Sequence, residues 1–340
     1  PGHALRDGRG PWPRTPVTPD TPLRDVIVVG AGISGLCAAW ALHHAGVDDL
    51  LVLERSHDVG GVAYGGHLDG QPCPWGAHYL GLPDPDSPLL MHLLSDLGVI
   101  VDFTKRGAPV IAPEFRIQQP VVNLYHGHDY SRGFYPWGLA PPREIDQAQD
   151  FFQDMDRWSR FRDRRGRPAF QLPVAYGSDA DEVQALDQLS LADYLAERGW
   201  DSPHLRWYVD HRLTDEYGCR AHEISAYAGI LFWAAEGGVR KAAPTPQPMP
   251  DLISWPEGNM YLARKLRGFL PASGLRLNAY VTEVRNVGDE VHVTEWDPAR
   301  RTARVHRGRA CIFAAPKLGA GRLVPELEER GRLAWTALEY

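Results

Sequence analysis

After its aspartate, the stretch DVIVVG from Asp25 to Gly30 is apolar without alternation. A run this short, closed by glycine, is the pattern of a strand buried on both faces of a parallel sheet. From Ile33 to His44 the apolar positions recur at helical spacing, and Gly46 supplies a stop. A second apolar run covers Leu50 to Leu53, so residues 25–54 read as one βαβ unit. A period of two returns much later in LRLNAYVTEVRNVGDEVHVTEW, residues 275–296, which predicts a β-hairpin turning at Gly288 and Asp289. ACIFAAP, residues 310–316, predicts one more buried strand.

The middle of the chain carries a different pattern. IDQAQDFFQDMDRWSRFRDRRG (145–166) and HEISAYAGILFWAAEGG (222–238) have helical periodicity, and Ser190 before LADYLAERGW fits an N-cap, with Gly199 as the stop. Trp207, Tyr208, Tyr217, Tyr227, Phe232 and Trp233 are candidates for an apolar pocket, although aromatics at helical spacing more often build core. The run from Arg162 to Arg167 reads as a solvated helix end.

With 340 residues the chain exceeds what one hydrophobic core supports. The expectation is α/β: a Rossmann-type domain with a parallel sheet, helices and a hairpin extension, interrupted by a mainly helical substrate domain. The expected boundaries are an extended, proline-rich leader (1–24), the first part of the nucleotide domain (25–105), the insert (106–252), the second part (253–320) and the start of a further portion (321–340).

A net charge of −7 offers no attraction to nucleic acid or anionic lipid. No apolar run approaches the roughly 18 to 20 residues of a membrane-spanning helix. Cys37, Cys73, Cys219 and Cys311 form no C-x-x-C pair, and Cys37 and Cys311 fall in predicted core. His126 and His128 alternate on a predicted strand without a third ligand, so no metal centre is expected. No signal in the sequence chooses between a cytoplasmic and a periplasmic location.

The chemistry lies in the first turn. Gly30, Gly32 and Gly35 give G-x-G-x-x-G: a tight turn, close approach of backbone to a pyrophosphate, and close packing of helix on strand. Ser34 stands at the helix start, where amide hydrogens face an anion. Glu54 ends the second strand, placed to accept hydrogen bonds from an adenosine ribose and to disfavour a 2′-phosphate. The unit therefore predicts dinucleotide binding, with NAD and FAD as the alternatives.

After Glu54 the chain continues RSHDVGGVAYGG. This E-R-x-x-x-x-G-G sequence resembles the flavin-binding superfamily of monoamine and polyamine oxidases, phytoene desaturases and protoporphyrinogen oxidases. The resemblance implies FAD, with Arg55, Gly60 and Gly61 along the diphosphate and ribityl chain, and Val62 where the family usually has arginine. CPWGAHYLGLP (73–83) is similar to the segment near the flavin ring and implies contacts from Gly76, Ala77, His78 and Tyr79. ISWPEGNMYLARKL (253–266) resembles the return from the substrate domain, and Val281 matches the valine whose backbone meets adenine. GHALRDG (2–8) looks like a segment of bacterial spermidine dehydrogenase-like proteins.

The family implies an oxidoreductase that takes a hydride from a small amine or polyamine-like substrate and passes electrons to oxygen or another acceptor. A polyene desaturase or isomerase of the same superfamily is the alternative. The family's later G-D motif has no counterpart beyond the hairpin turn, so the chain reads as C-terminally truncated, and a noncatalytic nucleotide-binding fragment is a further alternative. Catalytic residues are unassigned.

Overall fold

The apolar run at the front of the chain forms strand β1 (Leu23–Val29), and its neighbour in space is β2 (Leu50–Leu53), parallel to it with Val26 opposite Leu50 and Val29 opposite Leu53. The computed structural model describes residues 21–83, 87–118, 122–171, 174–234 and 251–329. Most of the predicted leader, and residues 330–340 of the last predicted portion, lie outside that set. The sheet is completed by β3 (Leu275–Arg276), β4 (Tyr280–Val287), β5 (Glu290–Asp297) and β6 (Thr302–Phe313), in the order β3-β2-β1-β6-β5-β4.

β6 has two roles. Its first half pairs antiparallel with β5, and its second half runs parallel to β1, from Val26 opposite Ala310 to Val29 opposite Phe313. The predicted strand at 310–316 is thus, as far as Phe313, the end of a twelve-residue strand, and residues 314–316 lie beyond it. The predicted hairpin also needs correction at its start. Leu275 and Arg276 leave it to pair with Val52 and Leu53, and Asn278, at φ +56°, turns the chain before Tyr280. Val287 lies opposite Glu290, which leaves Gly288 and Asp289 as the two-residue turn.

The unbroken apolar character of β1 and β2 follows from burial on both faces. Val26, Val28, Leu50 and Val52 pack with helix α1 (Ile33–His44), α2 (Pro88–Asp96) and α3 (Met260–Arg267), with Trp40 and Met260 at the centre. Ile27, Val29, Leu51 and Leu53 join Ala279, Val284 and Val293 on the other face. Burying each such side chain contributes roughly 1.5–3 kcal/mol. Gly46, at φ +78°, donates its amide to the His43 carbonyl and ends α1.

The chain divides into two compact units, residues 1–116 with 253–340, and residues 117–252. The first contains the six-stranded sheet. It extends to Arg116 because Pro109–Ile111 pairs with Ile100–Phe103, and Phe115 packs with Trp255 and Tyr261.

The second unit is mainly helical, with helices Pro142–Arg160, Leu191–Glu197, Pro203–Tyr217 and Ala226–Ala234 around a core that includes Phe151, Met155, Leu205 and Trp233. Ser190 caps its helix by accepting the Asp193 amide at 3.0 Å. Among the aromatic candidates, Tyr208, Phe232 and Trp233 are core, and the Trp233 indole donates to the Tyr208 hydroxyl at 3.2 Å. Trp207 and Tyr217 are exposed, and Tyr227 is half-buried against Phe170.

The Arg162–Arg167 run is solvated, with Arg162, Arg164 and Arg165 exposed, but it lies beyond the helix and forms a turn of its own. The helix stops at Arg160, and Asp163 gathers the amides of Arg165 and Arg167, the Arg167 side chain and the Ser178 hydroxyl. Burial raises its carboxyl, but these hydrogen bonds outweigh that effect and hold it at about 2.

Candidate functional site

A cavity of about 780 Å³ opens at the carboxyl ends of β1, β2 and β6. This is the edge of an open parallel sheet at which ligands bind, because the loops there are free to diverge. Val29 and Leu53 close the strand side, Ala314 to Pro316 continue from β6, and Val281 and Trp296 form a wall from the hairpin. The volume lies within the range of small-molecule and cofactor pockets, about 300–1,000 Å³.

The glycine turn shows which of its residues serve the fold and which serve a ligand. A Cβ on Gly35 would sit 1.9 Å from the Gly30 carbonyl oxygen, so this glycine lets α1 pack on the turn, and it does not line the cavity. Gly32 differs. Its backbone, at φ −70° and ψ 179°, suits any residue, and the nearest atom to an added Cβ is the Gly61 Cα at 3.9 Å. The protein's own packing tolerates a methyl group there, which would protrude beside the cavity that Gly32 lines. The Gly60 amide donates to the Ala31 carbonyl at 2.9 Å, drawing the second glycine pair against the first turn.

The donor set is suited to an anion. Gly32 precedes the first helical residue, so the Ile33, Ser34 and Gly35 amides begin a helix whose positive end faces the cavity wall. Arg55 is exposed, lines the cavity, and makes no hydrogen bond or ion pair to the described residues. Asn259 reaches the edge of the cavity from the start of α3. Its amide donates to the Ala77 carbonyl at 3.0 Å, and its side-chain Nδ2 to the Tyr79 carbonyl at 3.2 Å. The other side-chain atom, Oδ1, is buried without a partner among the described residues, an acceptor available to a donor from outside the chain.

Glu54 has a second task that sequence reasoning did not assign. It is only 8% exposed; Oε2 accepts the Ala31 amide at 2.7 Å, and Oε1 accepts the Ser56 amide at 2.7 Å. The carboxylate therefore braces the glycine turn from beneath. Each oxygen retains a second lone pair, so it can still accept from a hydroxyl at the cavity.

Of the residues singled out in the sequence, Gly30, Gly32, Ser34, Glu54, Arg55, Gly60, Gly61, Val62, Ala77 and Val281 line this one cavity. Val62 is 84% exposed, an apolar side chain at the mouth where the resembled family usually has arginine. Gly76, His78 and Tyr79 are not on the lining. A Cβ on Gly76 would lie 2.2 Å from the Val62 carbonyl, and the His78 carbonyl accepts the Ser254 hydroxyl at 2.7 Å. These three residues hold the loop that carries Ala77.

Ser56, Asn259, Thr282, Trp296 and Gly319 line the cavity without having been anticipated. Of these, only Asn259 had a usable signal, the P-E-G-N turn before a helix. Among the described residues, no helix is long and apolar enough to cross a membrane.

Residues 28–97 match the model of an NAD(P)-binding Rossmann-like domain. A protein of Mycobacterium tuberculosis, provisionally named flavin-containing monoamine oxidase AofH, is 28% identical over 272 residues, which is 79% of this chain and 53% of that protein. The chain thus spans about half the length of this curated relative. Wild-type putrescine oxidase bound to putrescine aligns with a TM-score of 0.64 at 21% identity, over 89% of this chain and 60% of that one. A fatty acid isomerase of P. acnes that produces CLA aligns at 0.59 and 18% identity, over 91% and 62%. The fold is the one these enzymes share.

Proposed function

We propose that this chain is the dinucleotide-binding and insert portion of an FAD-dependent oxidoreductase of amine-oxidase type, with an amine or polyamine-like substrate. The observation that carries the reading is the cavity at the strand ends, where Gly32 leaves room that the fold itself does not use. The kinship to a relative named as flavin-containing, and the shared fold with putrescine oxidase, support FAD over NAD.

The residues present fit such a group. Gly32, the first amides of α1 and Arg55 would take the diphosphate, Glu54 the adenosine ribose, and the Val281 backbone the adenine. Hydrogen bonds to a charged partner contribute about 1.5–3 kcal/mol each. Gly60 and Gly61 would let the chain pass close along the ribityl side, and Ala77 would lie toward the ring end. When bound, FAD supplies two-electron oxidation of an amine C–H bond, with oxygen or another acceptor as the final sink. The protein's part is position, exclusion of water and local electrostatics.

The test is a spectrum. After incubation with FAD and gel filtration, the chain should keep visible flavin absorption, bleached under nitrogen by putrescine or spermidine. A colourless protein would overturn the cofactor reading. Retained colour that bleaches with no amine, together with isomerised fatty acid or polyene products, would favour the isomerase alternative raised by the likeness to the fatty acid isomerase. Bound flavin without turnover of either substrate class would mark the chain as a binding fragment.

A further inference from the structure

We infer that His44, His92 and Asp96 form a binding site for a divalent transition cation of the zinc type, at the ends of α1 and α2. No local motif marks it, because His44 lies 48 positions from His92 and belongs to another helix. His92 and Asp96 stand four residues apart on α2, hence on one face. Their ligand atoms and that of His44 all lie within 4.8 Å of one another. His44 Nε2 is 2.7 Å from Asp96 Oδ2, and His92 Nε2 is 3.6 Å from Oδ1.

Ligand bonds of about 2.0–2.2 Å would separate the donors of a tetrahedral ion by roughly 3.3–3.5 Å. The widest pair must close by up to about 1.4 Å from 4.8 Å, and the His44–Asp96 pair must open by about 0.7 Å from 2.7 Å, both within the freedom of two exposed imidazoles.

Two independent features point to a cation. The first is a built support for the carboxylate. Trp40, 2% exposed, donates its indole N–H to Asp96 Oδ2 at 2.9 Å, and its ring lies 4.9 Å from that of His44 and 5.2 Å from that of His92. Ligating carboxylates and histidines are commonly oriented by such outer partners.

The second is the local field. Asp96 is the last residue of α2 and His44 the last of α1, so two helix carboxyl ends, each carrying about half a negative charge, meet beside a carboxylate. A lone carboxylate is unfavourable there, and a cation is favoured. No lysine or arginine supplies that charge, since Asp96 is held, among the described residues, by the two histidines and Trp40 alone.

Two imidazoles and one carboxylate suit zinc and its neighbours rather than magnesium or calcium. Three protein ligands leave a fourth position to water, and the bound ion would tie α1 to α2.

The site is independent of the flavin reading, and so is its test. The untagged chain, freed of metal by chelation, is titrated with cobalt(II), whose visible absorption reports coordination by nitrogen and oxygen, and with zinc by calorimetry. One equivalent should bind, and zinc should raise Tm. His44→Ala, His92→Ala and Asp96→Asn should each weaken binding by about tenfold or more. Asn keeps an acceptor for Trp40, and His92 is 55% exposed in its side chain, so Asp96→Asn and His92→Ala should melt like the parent without metal. Absence of binding by the parent chain would overturn the proposal. So would one-equivalent binding that all three variants retain.

Discussion

Alanine in place of Gly32 separates ligand binding from folding. At φ −70° and ψ 179° the backbone suits alanine, and the closest atom to the new Cβ would be 3.9 Å away. The folded chain should therefore be as stable as its parent, or gain about 0.4–1 kcal/mol from the reduced entropy of the unfolded chain. FAD binding should suffer. A methyl group at the turn keeps the diphosphate from the backbone amides, which need about 2.9 Å. Loss of one charge-assisted bond, about 1.5–3 kcal/mol, corresponds to roughly 10- to 150-fold in Kd.

Gly35→Ala is the control. Its Cβ would meet the Gly30 carbonyl at 1.9 Å, so the turn must move, at a cost of about 1–3 kcal/mol or more. Thermal melts and flavin-fluorescence titrations should show Gly32→Ala stable but weak in FAD, and Gly35→Ala unstable. Gly32→Ala with unchanged FAD affinity would refute the assignment of that cavity to the diphosphate. Equal destabilisation by both variants would refute the steric argument.

Other consequences can be checked in the same preparations. Glu54→Ala should lower stability as well as FAD affinity, because the Ala31 and Ser56 amides lose their acceptor at about 1–3 kcal/mol for a buried one; an unchanged urea midpoint would contradict the bracing role. Glu295 is 3% exposed and takes hydrogen bonds from His306 at 2.7 Å and from Arg276, so Glu295→Ala should cost about 1–3 kcal/mol, chiefly through the buried His306 left without its partner. Burial raises its carboxyl, but bonds to His306 and Arg276 hold it below the ordinary value. The stabilisation is therefore present above the unfolded pKa and is lost as pH falls through the folded one. Melts between neutral and acid pH should show the parent losing stability more steeply than Glu295→Ala. Burial pushes the Cys311 thiol up to about 12, so it should resist alkylation at pH 8 until urea is added; equal labelling in the folded chain would show that it is accessible.

The βαβ unit, the hairpin turn and the glycine cradle are legible in the order of residues alone. Each is local: a strand buried on both faces has to be apolar throughout, a helix has to repeat near 3.6 residues, and a glycine turn forms within a few bonds. Helix Ile33–His44 and strand Leu50–Leu53 were legible on those grounds alone.

Whatever depends on which elements become neighbours is set by the folded arrangement. Periodicity reports that a face is buried, not what buries it. Only the order β3-β2-β1-β6-β5-β4 brings Ala314 and Trp296 to the cavity of Gly32, turns Arg276 out of the hairpin to Glu295, and folds Glu54 under Ala31. The meeting of His44 with Asp96 belongs to the same class, since it depends on two helices packing through Trp40, a contact that neither helix specifies alone.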